Sequence, residues 1–157
     1  MELHEWLAFL HILAAIVWVG ASITQSGILT RANRNPDRAV VAGLAHELSW
    51  VGPFLIGPAA LAVIGSGIWI AFIEDWVAFS DTWIWLSLVL VGVSMVLGMA
   101  YFGPEGRRIG RIVDERGPED AEFRQRMDRL LLVGRLDLLI LAVVLWLMVF
   151  KPGAPAA

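Results

Sequence analysis

Cysteine is absent from this 157-residue sequence, so disulfides, thiolate nucleophiles and thiolate metal sites are not available to it. Charge is scarce as well. Asp, Glu, Lys and Arg together make up 17% of the chain, below the quarter or so of a soluble domain, and they cluster instead of spreading. Lysine is nearly missing: Lys151 is the single exception among twelve basic residues, the rest being arginine. The three histidines, His4, His11 and His46, match neither an HxxxH nor an HExxH spacing, which leaves a zinc site without support. No paired acid–base site and no soluble catalytic domain is in view. The net charge of −3 carries little weight, because a membrane responds to where charges sit.

What is present is apolar. The hydrophobic fraction of 58% and mean hydropathy of +0.70 exceed those of soluble domains. Four runs reach the roughly 20 residues needed to cross a hydrocarbon core about 30 Å thick. They are residues 6–30, 48–73, 82–103 and 130–150, and only the last contains charges, Arg135 and Asp137. Glu2 and Glu5 precede the first run and no basic residue does, opposite to a secretory signal, so this run is expected to persist in the mature protein. Ten of the twelve basic residues fall between the first and second runs or between the third and fourth. The positive-inside rule then places those two loops in the cytoplasm and both termini outside. The expected fold is an all-α bundle of four transmembrane helices, N-out and C-out, forming one four-span membrane domain over residues 1–157. No internal repeat is visible.

Local signals refine this outline. Asn35-Pro36 reads as a helix start, Asn35 as N-cap and Pro36 at the first helical position. Gly52-Pro53 and Gly57-Pro58 predict a kink in the second span. Small residues from Ala59 to Gly67 make one side of that helix thin, and Ser94 with Gly98 offers a small-xxx-small contact on the third. Gly103-Pro104 predicts the end of the third span. Ile109, Ile112 and Val113 recur at helical spacing among arginines, as in a helix lying at the headgroups. Gly117-Pro118-Glu119-Asp120 stops one helix and starts the fourth ahead of the membrane. Helical cytoplasmic extensions are thus part of the expected fold.

Polar side chains inside a membrane are costly, and each is a candidate for function. They fall at two depths. His4, His11, Trp18, Ser87 and Met148 lie toward the outer face. Ser22, Gln25, Tyr101, Arg135 and Asp137 lie toward the cytoplasmic one and form the expected intramembrane polar network. His4, His11, Trp18 and Gln25 follow at seven-residue intervals on one stripe of the first helix. His11 bonds to a neighbouring helix, ligates heme iron or a metal, or shuttles a proton. His4 and His11 lie about 10 Å apart on the same helix, so they cannot approach one iron from opposite faces; a second ligand would have to be Met148, or the iron would be five-coordinate. Trp18 sits mid-membrane, where it packs between helices or stacks on a flat ligand. The other tryptophans form an aromatic belt: Trp6, Trp69, Trp76, Trp83, Trp85 and Trp146 at the outer interface and Trp50 at the inner. Arg135 and Asp137, two residues apart, face different directions and act as a polar clamp or as parts of a proton relay.

Leu10-His11-Ile12 followed by Trp18-Val19-Gly20 resembles the first-helix pattern of the membrane-bound bacterial protoporphyrinogen oxidases and of the copper-resistance protein D membrane domain. Arg135, Asp137 and the closing Met148-Val149-Phe150-Lys151-Pro152 resemble a related family of predicted four-helix membrane proteins of unknown function. The oxidase resemblance implies heme b on His11. That family also uses a lysine in a later span, whose approximate counterpart here is near Ser87. Three function classes follow from the sequence, in order: a non-catalytic accessory or structural subunit of a respiratory or photosynthetic assembly in the bacterial inner membrane; a b-type heme redox protein; and a small transporter, suggested by the proline-broken second helix. The expected partners are the lipid bilayer and other membrane subunits, with no nucleic acid.

Overall fold

A computed structural model describes residues 3–35, 37–73 and 81–153. Nearly all of these residues are helical. Helix α1 runs Leu3–Ala32, and α2 runs Arg38–Glu47. A π-helical segment, Gly52–Ile56, leads into α3, Gly57–Ile73. Helix α4 covers Thr82–Val96 and passes through a second π-helical segment, Leu97–Phe102, into α5, Gly103–Arg116. Helix α6 spans Ala121–Phe150. Four helical tracks, Leu3–Ala32, Arg38–Ile73, Thr82–Arg116 and Ala121–Phe150, are long and apolar enough to cross a membrane. Each contains a stretch that is apolar around most of its circumference, the pattern of a helix whose solvent is lipid.

The helices start and stop where local chemistry dictates. Asp37, not Asn35, is the N-cap of α2: its carboxylate accepts from the Ala39 amide at 3.0 Å, while Asn35 accepts from the Asp37 amide at 2.9 Å. The two side chains form successive turns, and the nearer one takes the helix. Pro36 lies outside the described residues, as do Glu74, Asp75 and Trp76. Asp120 caps α6 by accepting from Glu122 N at 2.7 Å. Gly117 ends α5 at φ +82°, a conformation that favours glycine, and its amide bonds to Val113 O.

At Gly103-Pro104, where the third span is expected to end, the helix itself continues into α5. Proline at position 104 has no amide to donate and its ring crowds the carbonyl four residues back. The backbone answers by widening one turn, with Gly103 N–H bonding to Gly98 O, five residues earlier. The second track repeats the device: Gly57, just before Pro58, donates to Gly52 O. A Cβ at Gly57 would stand 3.4 Å from that oxygen, and one at Gly103 would stand 3.5 Å from Gly98 O. The kink expected near Pro53 and Pro58 is therefore a π turn. A Gly-x4-Gly-Pro pattern occurs once in each middle track, at Gly52–Pro58 and Gly98–Pro104. Turns of this kind are uncommon and recur at functional places in helices.

Two seams hold the crossing half together. Helix α1 packs along α3, whose Ala59, Ala60 and Ser66 are buried, as the thin face predicts. Helix α4 packs antiparallel to α6. On α4 the buried stripe is Ile84, Ser87, Val91 and Ser94; on α6 it is Asp137, Leu141, Val144 and Leu147. Gly98 is exposed, so the small contact of Ser94 is with this seam and not through Gly98. At the arginine-rich end a third cluster forms where α1, α2, α5 and α6 converge. It encloses Leu29, Val41, Ile109, Ile112, Phe123, Met127 and Leu131. Ile109 and Ile112 thus face protein, not headgroups: their hydrophobic stripe meets those of α2 and α6.

Candidate functional site

The polar residues of the crossing half are dispersed over three separate fastenings. The first joins α1 to α3. His11 sits half-buried on the α3-facing stripe, with Nδ1 3.0 Å from Val63 O and 3.1 Å from Ser66 Oγ. Ser66 Oγ itself donates to Ala62 O at 2.5 Å. With that hydroxyl hydrogen committed, His11 Nδ1–H donates to Val63 O, and Nε2 keeps the lone pair. The close approach depends on Gly67, where a Cβ would stand 3.0 Å from His11 Cε1. A ring nitrogen tied to a backbone carbonyl is the usual support for a histidine whose other nitrogen binds metal.

One heptad further, Trp18 is buried with Ala59, Ala60, Val91, Leu141 and Val144. It is a packing residue at the place where both seams meet. Gln25, another heptad on, donates from Nε2 to Leu48 O at 3.1 Å. This carbonyl belongs to the turn between α2 and the first π segment, where the helical ladder is interrupted. The stripe of four thus faces the second track at three of its positions, while His4 is exposed.

The third fastening lies in the α4–α6 seam. Asp137 is only 8% exposed and accepts from the Ser94 hydroxyl. Its Oδ1 has no partner among the described residues. The expected set of Ser22, Gln25, Tyr101, Arg135 and Asp137 does not assemble. Gln25 serves Leu48, and Tyr101 stacks edge-on against Phe102 at 5.6 Å between ring centres. Ser22 is half-buried, and Arg135 lies exposed on α6. Depth alone made these residues neighbours; direction around each helix separates them. A signal that finds the true partner was present: Ser87, Val91 and Ser94 share one face of α4, and Asp137, Leu141 and Val144 share one face of α6.

Met148 is half-buried between the Trp18 cluster and that of Trp83, Ile84 and Leu147. Ser87 turns back to donate to Trp83 O at 2.6 Å. Trp6, Trp69, Trp85 and Trp146 are exposed at the end opposite the arginines, and Trp50 is exposed near them, as a belt requires. Trp83 departs from the belt. It is buried, its Nε1 has no partner among the described residues, and Lys151 Nζ stands 5.6 Å from its ring centre. Among the described residues no three His, Asp or Glu side chains converge as metal ligands would.

The arginine-rich end carries a second kind of polar contact, an ion-pair network around the α5–α6 corner. Arg126 pairs with Glu105 and Glu122, each at 2.7 Å, and Arg116 reaches Glu122 at 2.7 Å and Asp120 at 3.5 Å. Hydrogen bonds from the two guanidiniums hold the Glu122 carboxyl down to about 2. Asn33 adds a bond to Asp128 at 2.7 Å, tying α1 to α6.

No curated protein and no solved structure matches this chain. A sequence family does, and it matches nearly end to end, through all four tracks and the corner between α5 and α6. Over residues 5–152 the chain belongs to the family described as "Predicted integral membrane protein (DUF2269)".

Proposed function

We propose that this protein is a non-catalytic four-pass bundle serving as an accessory or structural subunit of a larger respiratory or photosynthetic assembly in the bacterial inner membrane, with both termini outside. One observation carries the reading. Each polar group that makes a described bond in the crossing half fastens a helix to itself or to its neighbour, and the three fastenings stay apart. An acid–base or transport site needs such groups to converge. The arginine asymmetry supports the orientation. Large apolar side chains remain exposed on every track, so lipid and neighbouring subunits are what these surfaces suit. The test is purification from native membranes in mild detergent. The expected product is a defined complex well above the 17.3 kDa of the chain, whose other subunits fall apart when the gene is deleted. A free chain with an intact parent assembly in the deletion strain would sink the proposal.

A second reading rests on His11. Its Nδ1 is fixed by Val63 O, which leaves Nε2 as the ligating nitrogen, and a lone histidine suits a group that brings its other ligands along. Heme b is such a group, and the oxidases that the first helix resembles bind heme at this histidine. Bound there, heme would supply one-electron chemistry, and His11, fixed by α3, is the residue that would hold it. Met148, placed in the α4–α6 seam, is not needed for a five-coordinate iron. The absorption spectrum of the same preparation separates the readings. A Soret band that disappears in a folded His11→Ala variant favours heme.

A further inference from the structure

The end of α1 carries a feature that neither reading uses. Two grooves, of about 530 and 510 Å³, flank its last turns and share Arg31 and Arg34 as their common rim. The floor of the first is apolar, made by Ile23 and Gly27 of α1 and Leu138 of α6. Ser26 and Thr30 add hydroxyls to its lining. The second groove is floored by Ile28 of α1 and by Val40 and Leu44 of α2. No acidic side chain lines either one.

Arg31 and Arg34 are both exposed and form no ion pair among the described residues, although the Arg116 and Arg126 guanidiniums nearby are paired. They stand where the apolar run of α1 gives way to charge, the depth of lipid phosphates. Arg135 adds to them. It lies three residues before Leu138, on the same face of α6, and about 4.5 Å nearer the arginine-rich end. This gives an exposed arginine within an apolar span a place to send its charge.

We propose that this double groove binds one anionic phospholipid of the bilayer, its phosphate between Arg31 and Arg34 and one acyl chain in each groove. The complementarity is twofold. Two unpaired guanidiniums suit a phosphodiester, to which arginine donates in bidentate fashion. Two shallow, largely apolar grooves that share one cationic edge suit two chains from one headgroup, as basic pockets between transmembrane helices do for anionic lipids. A zwitterionic lipid presents a choline to the same guanidiniums and gains less.

The full-length chain in detergent tests this, by native mass spectrometry with added phosphatidylglycerol or phosphatidylcholine. Phosphatidylglycerol should bind at least tenfold more tightly than phosphatidylcholine, as a single resolved adduct. Arg31→Gln with Arg34→Gln should remove that preference. Arg107→Gln with Arg108→Gln, which deletes equal charge outside both grooves, should keep it. Gly27→Leu is the decisive second variant: a Cβ there meets nothing within 4 Å, so the bundle folds while the groove floor is filled. It should weaken binding severalfold with every arginine in place. Inorganic phosphate at millimolar concentration should not displace the lipid. Equal losses in the two arginine pairs would reduce the effect to general surface charge and overturn the site. Indifference to Gly27→Leu, or displacement by phosphate, would overturn the role of the grooves.

Discussion

At the arginine-rich end Phe123 and Val41 are fully enclosed and Met127 is 1% exposed, whereas in the crossing half Leu139 on the same helix as Phe123 is 63% exposed. The two regions are held by different means. The first is built like a soluble core: apolar stripes from four helices close on one another, and ion pairs rim the cluster at the α5–α6 corner. Water drives that closure. In the second, lipid is as apolar as the side chains, so burial brings little. Small residues at the seams and a few interhelical hydrogen bonds do the holding instead. A helix such as α6 obeys one rule for its first ten residues and another for the rest.

The largest expected effect tests that division directly. Phe123→Ala should destabilise the folded chain by about 3–5 kcal/mol, the usual cost of emptying an enclosed aromatic site. Leu139→Ala, on the lipid-facing side of the same helix, should change stability by far less. Thermal unfolding of both variants in one detergent measures the contrast, and similar losses at the two sites would erase it. An intermediate effect is expected at the α4–α6 seam. Asp137→Leu should lose stability and Asp137→Asn should largely retain it, since the amide oxygen still accepts from Ser94. A double-mutant cycle with Ser94→Ala should return a coupling near 0.6 kcal/mol, the average for such bonds in membranes. A coupling of zero would mean that the two residues merely touch.

The smallest effect lies in the ion-pair corner. Glu122 titrates near 2 in the folded chain against an ordinary value of 4.5, because Arg116 and Arg126 both donate to it. A depressed carboxylate stabilises the fold above its unfolded value and loses that contribution as pH falls. Protection of the α5–α6 corner against hydrogen exchange should therefore decline between about pH 4.5 and 2, more weakly in high salt, because the Glu122 side chain is one-third exposed. Glu122→Gln should flatten this dependence. An unchanged slope in the variant would assign it to other groups.

Much of the architecture was legible because it rests on composition. Charge-free runs mark the spans, arginine clusters mark one end, and the small residues Ala59, Ala60 and Ser66 mark the face that meets α1. The readings that failed needed knowledge of direction or of partner. Depth placed Asp137 beside Gln25 and Tyr101, and only the face of each helix shows that Ser94 is its neighbour. The amphipathic stripe of Ile109 and Ile112 was visible, but an apolar face does not say whether lipid or protein will cover it. Gly103-Pro104 marks the end of the apolar run, and composition alone does not say that the helix carries on through it. Here a widened turn absorbed it, which a residue-by-residue preference does not register.

The π turns between Gly98 and Gly103 and between Gly52 and Gly57 also set the phase of the helices that contain them. A widened turn accommodates one surplus residue, and one residue corresponds to about 100° of rotation in an α-helix. A helical wheel drawn straight through Thr82–Arg116 therefore mixes two unrelated faces. Ser87 and Ser94 point to α6 on one side of the turn, and Ile109 and Ile112 point into the enclosed cluster on the other. Removing a single residue from Leu97–Phe102 would take away that surplus and swing one of these sets away from its partners. The soluble-like core and the membrane seam are each in step with α6 only because the turn between them keeps the two out of step with each other.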